Sequence, residues 1–405
     1  MSKKRVVVTG VGVVSSIGIG KDKFWGSLIG GKSGISEVKS FDTSKYENHK
    51  GGEVKDFNPL QFIDKENVKM IGRASQFGIA ASRLALEDAK LKVDSISKDR
   101  IGVIMGTTMA DSQRLEEMDK TWVESGQERV DPGLIPQYPG NALSINIGFE
   151  LSITGIVLAI PTACSAGNYS IGYSYDLIRT GKADYMLAGG SDSFSRVAFT
   201  GFNRLFAVAP EKCQPFDKNR KGMIVGEGAG VLLLELLDSA LKRKANIYAE
   251  VLGYALSCDA HHMTAPSVEG IVRVMRDAIR HSGVDPKAVD YISAHGTGTP
   301  ANDRAECQAV KEVFKEKYND IPMSSIKSML GHTMGAASAI EAITCCLAIK
   351  DSIIPPTINY ETPDPECDID CVPNVARKRS VKIALNNSLA FGGNDACLVM
   401  GRYDN

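Results

Sequence analysis

The sequence predicts an α/β fold, and three observations carry the prediction. Short β-branched apolar runs alternate with amphipathic helical stretches. The strand-like runs are apolar at successive positions, as in strands covered on both faces, rather than at every second one. The order of elements then recurs weakly in the second half of the chain.

The first run, Arg5–Thr9, follows Lys3 and Lys4 and continues apolar to Val14, imitating the start of a signal peptide. Thr9, Gly10 and Gly12 break it and no small-residue cleavage pattern follows, so it is read as a buried strand. The helix Gly72–Lys90 leads to the strand Ile101–Gly106. The strand Gly155–Ile160 and the helix Ser165–Thr180, rich in small residues, come next, then strands at Tyr185–Gly189 and Gly230–Glu235. The second half opens with the strand Ala249–Leu256. The order recurs there as helix Glu269–His281, strand Tyr291–Ala294, helix Ala305–Phe314, a strand near Met323–Ile326 and helix Gly335–Lys350, with a last strand at Ala396–Gly401. The expected halves are residues 1–248 and 249–405, sharing a central buried helix pair. Two polar insertions, Asp111–Gly148 (with Trp122) and Phe194–Met223, lack linker composition and should pack against the core.

Composition excludes several function classes. The 405 residues are 43% hydrophobic and 23% charged, which rules out a disordered or low-complexity chain. A chain this long buries about three quarters of its unfolded surface. With 47 basic against 48 acidic residues, net −1, it is not a general nucleic-acid binder. No run of 18 apolar residues is present, so no membrane span is expected. Nine cysteines, sparse and odd in number, read as reduced thiols of a cytoplasmic protein.

The chemistry concentrates in four segments. In Pro161-Thr-Ala-Cys-Ser-Ala-Gly167, Cys164 falls on a strand-to-helix turn. Free N–H groups and the positive helix end favour a thiolate there, and small neighbours leave room for a substrate. The same heptapeptide also suits a small cysteine packing the junction. In Ala294-His-Gly-Thr-Gly-Thr-Pro300, His295 ends a strand, where α/β sheets bind ligands, and Thr297 and Thr299 offer hydroxyls on one edge. Lys327-Ser-Met-Leu-Gly-His332 leads into a Gly/Ala-rich helix start, which would keep His332 neutral. Asn387–Asp395 is a Gly-Gly turn carrying Phe391. A thiol carries an acyl group as a thioester, and two imidazole N–H donors hold an enolate oxygen. Together they suit a decarboxylative Claisen condensation better than hydrolysis.

These segments resemble the β-ketoacyl-acyl carrier protein synthases, and most closely the elongating type, KAS II. The likeness runs from Val8-Thr-Gly10 through Pro215-Phe-Asp217 and Gly226-Glu-Gly-Ala-Gly230 to Phe391-Gly-Gly393. It implies a thiolase-like fold of duplicated α/β layers (α-β-α-β-α) with a cap of inserted segments, and a dimer, homomeric or heteromeric. It implies that Cys164 accepts the acyl chain from carrier-protein phosphopantetheine, with no separate cofactor and no metal. Backbone N–H groups of Cys164 and Phe391 would form the oxyanion hole, and His295 and His332 would support decarboxylation of the malonyl thioester. Lys327, with Glu341, would order the charges around His332. Thr297 and Thr299 would bond the pantetheine arm, Phe391 would gate the acyl pocket, and Met109 and Phe202 would line it. Ala390 stands where the family has Gly, and Asn394-Asp395 where it has Thr-Asn, so gate motion, chain length and pathway (fatty acid, or type II polyketide or polyene) stay open.

Rival readings are a thiolase, a chain-length-factor partner and an acyl-binding or transfer protein. A thiolase has a second cysteine where this chain has His332, and chain-length factors lack the nucleophilic cysteine. Gly10-x-Gly12 imitates a dinucleotide fingerprint without its third Gly. Cys258 with His261 and His262 lacks a second zinc pair. Lys218–Lys221, including Arg220, reads as solvated surface, or as a contact for an acidic carrier protein.

Overall fold

The computed structural model describes residues 4–404; Lys3, part of the signal-like start, lies outside them. Ten main strands occupy Val6–Ser15 (β1), Ile101–Gly106 (β2), Val157–Ile160 (β3), Tyr185–Asp192 (β4), Gly228–Leu236 (β5), Ala249–Cys258 (β6), Tyr291–Ser293 (β7), Met323–Ser324 (β8), Ile383–Ser388 (β9) and Asn394–Gly401 (β10). The helices are Lys21–Ile29 (α1), Arg73–Asp88 (α2), Ser112–Ser125 (α3), Ala142–Glu150 (α4), Ala166–Arg179 (α5), Arg196–Arg204 (α6), Leu237–Lys242 (α7), Val268–Ser282 (α8), Pro300–Phe314 (α9), Lys327–Leu330 (α10) and Ala337–Asp351 (α11).

Strand order reveals the duplication. Along the sheet it reads β8-β7-β9-β10-β6-β1-β5-β4-β2-β3. Each set of five strands therefore follows the same order, and the two sets meet where β1 pairs antiparallel with β6 over Val6–Val8. In both sets one strand is flanked by two parallel to it: β3 and β4 beside β2, and β8 and β9 beside β7. Parallel strands need helical crossovers, which explains the βαβ alternation in the sequence.

Layering follows from burial. β1 is buried at every position, so its apolar run satisfies both faces. α2 covers β1, β5 and β4 on one outer side, and α8 covers β6 and β10 on the other. Between the two sets lie α5 and α11, each touching strands of both. From Ala337 to Ile349, α11 is buried on all sides, so it shows no amphipathic face. Its Cys345 and Cys346 are core packing, and among the described residues all nine cysteines are free thiols.

Gly10 and Gly12 serve this packing. A Cβ on Gly12 would sit 1.9 Å from the Ala81 carbonyl oxygen, and one on Gly10 2.1 Å from that of Ala85. The glycines bring α2 onto β1, so the dinucleotide likeness has a packing cause.

Three expectations are corrected. The strand β9 escaped the sequence reading because its last residues, Asn386, Asn387 and Ser388, are polar yet buried. The Asn386 amide donates to Asn168 Oδ1 and the Ser338 carbonyl, which makes that burial tolerable. The insertion helix α3 does not pack against the core: of its residues only Ser112 is buried, and Trp122 and Val123 stay exposed. Arg220 is not solvated surface; it is buried against Asp364 and Asp303.

Candidate active site

Cys164 lies in a single 3₁₀ turn at the head of α5. Ala163 before it has φ +51°, in the left-handed region that costs a residue with a Cβ roughly 1–3 kcal/mol. The surroundings fix the turn. Ser388 Oγ donates to the Cys164 carbonyl at 3.0 Å, and Ser165 Oγ to that of Asn394 at 2.5 Å. The backbone N–H groups of Phe391 and of Cys164 itself favour the anionic form of the sulfur. Burial nevertheless pushes the thiol up to about 11, against the pull of the Lys327 ammonium and those N–H groups. The thiolate expected from the helix end is thus not the resting form: desolvation outweighs the dipole.

His295 follows β7. Its N–H and that of Gly296 donate to the two oxygens of Glu306, at 2.9 and 2.8 Å. His332 is pinned through its backbone to Ile224 and Gly226. Its Nδ1 accepts the Met334 N–H at 3.1 Å, which leaves the ring proton on Nε2. The two rings meet edge to face, 5.4 Å between centroids. One ligating atom each from Cys164, His295 and His332 lies within 4.8 Å of the others. Burial first, and the Lys327 ammonium second, hold both imidazoles well below the usual range, so both are neutral.

Lys327 lies behind this cluster. Its Nζ donates to the His295 carbonyl at 2.6 Å and pairs with Glu341, both side chains fully buried. Burial pushes Glu341 up to about 7.

A pocket opens over the cluster. Cys164, His295, His332, Thr297, Thr299, Phe202 and Phe391 lie on its wall. The Thr297 and Thr299 hydroxyls are 2.9 Å apart. Phe391 leans on Phe202, 5.6 Å between ring centroids, and is followed by Gly392 and Gly393 with φ +86° and +78°. Only glycine takes two such angles in succession without strain. The structure does not bring Met109, Lys327 or Glu341 to this wall. Met109 gives its N–H to Asp192 at 2.8 Å.

Two carboxylates that the sequence reading passed over organise the site. Glu306 orients the His295 turn. Asp192 accepts the N–H groups of Thr108, Met109, Ala110 and Gly335 and the Thr107 hydroxyl. Burial raises each to about 6. A signal existed for Glu306: Asp303 and Glu306 are acids three apart among the small apolar residues of α9, hence on its buried face.

A thiol and two neutral imidazoles on one pocket wall, with a buried ammonium behind them, are a set that suits acyl transfer. The chain belongs to the β-ketoacyl synthase family: residues 3–240 match the family's N-terminal domain and residues 248–361 its C-terminal domain. It is 40% identical over 412 residues to 3-oxoacyl-(acyl-carrier-protein) synthase 2 of Synechocystis sp., covering 100% of this chain and 99% of that protein. The Staphylococcus aureus protein of the same name is 40% identical over 409 residues, 99% of each. Among solved structures, the ishigamide ketosynthase/chain length factor is 44% identical with a TM-score of 0.97, covering 100% of both chains. A ketosynthase in complex with its type II polyketide acyl-carrier protein and bound to a hexaketide is 33% identical, with a TM-score of 0.91 and 100% of both chains covered. Among the described residues no helix is long and apolar enough to cross a membrane.

Proposed function

We propose that the chain elongates acyl thioesters by two carbons, with Cys164 as the acyl-bearing nucleophile. The observation that carries this reading is the convergence of the Cys164 sulfur and two neutral imidazoles within 4.8 Å of one another. In the first step the Cys164 sulfur attacks the acyl-pantetheine carbonyl. The oxyanion is held by the N–H groups of Cys164 and Phe391, and the pantetheine thiol leaves with the proton that the cysteine gave up. In the second, the malonyl thioester loses carbon dioxide. The electron pair of the broken C–C bond forms an enolate, whose oxygen takes N–H bonds from His295 and His332. The enolate carbon attacks the acyl-Cys164 carbonyl, and the released thiolate takes a proton from solvent.

Neutral rings suit this role, because an uncharged N–H donor stabilises an enolate without protonating it. Lys327 with Glu341 fixes the charge behind the rings. Thr297 and Thr299 bond the pantetheine arm. Phe391 gates the acyl chamber and Phe202 bounds it; Met109 would meet a chain only beyond the wall described above.

The carrier is an acyl carrier protein, as in the ketosynthase complex above, and the pathway is fatty-acid or type II polyketide or polyene synthesis. The acyl and malonyl groups arrive on carrier phosphopantetheine, and no further cofactor takes part. A second subunit, identical or related, is taken to pair along β3, an edge strand whose Leu158 is exposed beside Ile145 and Phe149 of α4. Nine unpaired thiols support a cytoplasmic setting.

The test is incubation with acyl- and malonyl-carrier protein over a chain-length series, with mass spectrometry of products. The expected product is the β-ketoacyl carrier protein two carbons longer. Cys164→Ala should abolish acyl loading, while His295→Ala and His332→Ala keep loading and lose carbon dioxide release. Normal release by both histidine variants would sink the mechanism.

A further inference from the structure

Two loop segments form part of the cavity wall. One is the Leu389–Gly393 turn with Phe391; the other runs from Asp259 through His262 to Pro266. β10 and β6 bring them together, since Asn394 pairs with Cys258 and Asp395 with Ser257. Just beyond the ladder, the Asp259 N–H donates to the Gly393 carbonyl at 2.9 Å, and the Gly392 N–H to that of Met263 at 2.9 Å.

Two carboxyl groups face each other at this junction. Asp395 is 1% exposed, and its side chain takes the Ala390 N–H. Its Oδ2 has no donor, and neither has the buried Oδ1 of Asp259, whose other oxygen accepts the Ser267 N–H at 2.8 Å. Asp259, two residues on from Ser257, continues the face of the ladder that carries Asp395. Two carboxylates side by side cannot bond while both are ionised, but a single proton lets one donate to the other. Asp259 packs closely on two glycines: a Cβ on Gly393 would lie 2.8 Å from its Cβ, and one on Gly270 1.5 Å from its Oδ1.

We propose that Asp395 donates a proton to Asp259, and that this acid–carboxylate bond is the latch that holds the Phe391 turn against the Asp259–Pro266 segment over Cys164. The latch makes Asp395 and Asp259 positioning residues, acting through the Ala390 and Phe391 backbone; only their consequence for acyl loading rests on the function proposed above. The groups around the pair are Arg273 of α8, which donates to the Cys258 carbonyl at 2.8 Å, Tyr169 of α5, the Cys258 thiol and His262. Burial, and Asp259 after it, push Asp395 up to about 9, while Arg273 pulls weakly the other way. The proton therefore stays at neutral pH and leaves on the alkaline side. Two like charges then stand at the junction and the turn loosens.

The experiment is hydrogen exchange of the 389–393 amides, expressed as protection so that the intrinsic pH dependence cancels. In the wild type, protection falls above about pH 9, the opening equilibrium rising about tenfold per pH unit as for release of one proton. Asp395→Asn keeps a donor to Asp259 and an acceptor for Ala390 but has no proton to lose, so its protection shows no such step. Asp395→Ala is poorly protected at every pH. Infrared difference spectra supply an independent reading: a protonated-carboxyl band present at pH 7 in the wild type, lost on alkaline titration and missing from Asp395→Asn. The proposal is overturned if Asp395→Asn titrates like the wild type, if it retains the band, or if the alkaline loss of protection extends equally through β10. Neither readout uses turnover, so a failed latch and a failed condensation mechanism are told apart.

Discussion

Replacing Glu306 by Gln tests how the His295 turn is held. The carboxylate receives two backbone N–H bonds, from His295 and Gly296, at 2.9 and 2.8 Å, and a longer one from the Asn387 amide at 3.4 Å. An amide of the same shape offers one acceptor, and its NH₂ confronts the other N–H. Losing one hydrogen bond to a charged acceptor costs about 1.5–3 kcal/mol. If that cost falls on the geometry needed for decarboxylation, carbon dioxide release drops roughly ten- to a hundredfold. Acyl loading should change far less, since Glu306 touches the imidazole turn and not the Cys164 turn. The assay separates the steps: stopped-flow loading from an acyl thioester, then carbon dioxide release from a malonyl thioester. A pH profile adds a second check. Burial raises Glu306 to about 6, so the wild type gains a proton there as pH falls and loses one acceptor. Wild-type release should decline below about pH 6, and Glu306→Gln should lack that limb. Equal losses in loading and release, or an unchanged limb, would refute the assignment.

Three further outcomes follow from the packing and charge. The Cys164, His295 and His332 ligating atoms lie within 4.8 Å of one another, a set that suits a borderline-soft divalent ion, so Zn²⁺ should inhibit and a chelator restore activity; zinc affinity unchanged in Cys164→Ser would count against that site. Gly12→Ala puts a Cβ 1.9 Å from the Ala81 carbonyl oxygen and should cost about 1–3 kcal/mol in urea denaturation, with an unshifted midpoint as the contrary result. Glu341, Glu306 and Asp192 have folded values of about 7, 6 and 6, above their ordinary 4.5, 4.5 and 3.8. Each binds a proton in the folded state that the unfolded state has released, so its contribution is complete below about pH 4 and is lost as pH rises through 6 to 7. The melting temperature should fall from pH 5 to 8, less steeply in Glu341→Gln; identical slopes would exclude Glu341 as a source.

What was legible in the sequence was what local pattern encodes. Continuous apolar runs marked β1, β2 and β4, and the Cys164, His295 and His332 turns stood out because reactive residues sat among glycines and alanines. β9 was hidden by its three buried polar residues, whose partners on α5 and α11 are far away in sequence. The resting state of Cys164 was misjudged for a related reason. A turn signals the helix end, but the desolvation that outweighs it comes from elements packed on every side. Arg220 looked solvated in a run with Lys218 and Lys221, because nothing local showed Asp303 and Asp364 approaching it.

The duplication explains why the nucleophile and one imidazole meet. Thr162-Ala163-Cys164-Ser165 enters α5 as Thr333-Met334-Gly335-Ala336 enters α11, each through a 3₁₀ turn whose first residue is left-handed, φ +51° at Ala163 and +54° at Met334. The two helix starts touch: the Asn168 N–H donates to Ser338 Oγ at 3.0 Å, and a Cβ on Gly167 would lie 2.6 Å from the Ala339 nitrogen. One turn presents sulfur. At the matching position of the other, Gly335 has no room for any side chain, since a Cβ would stand 2.5 Å from the Thr107 Cα. That half contributes His332 instead, three residues earlier in the chain. Two copies of one strained turn, set head to head by a pair of buried helices, thus supply unlike groups to a single pocket. A substitution that relaxes either turn should therefore disturb both partial reactions. Gly335→Ala is the sharpest case: it leaves every reactive group in place, yet it should slow loading and carbon dioxide release together, whereas Glu306→Gln slows release alone.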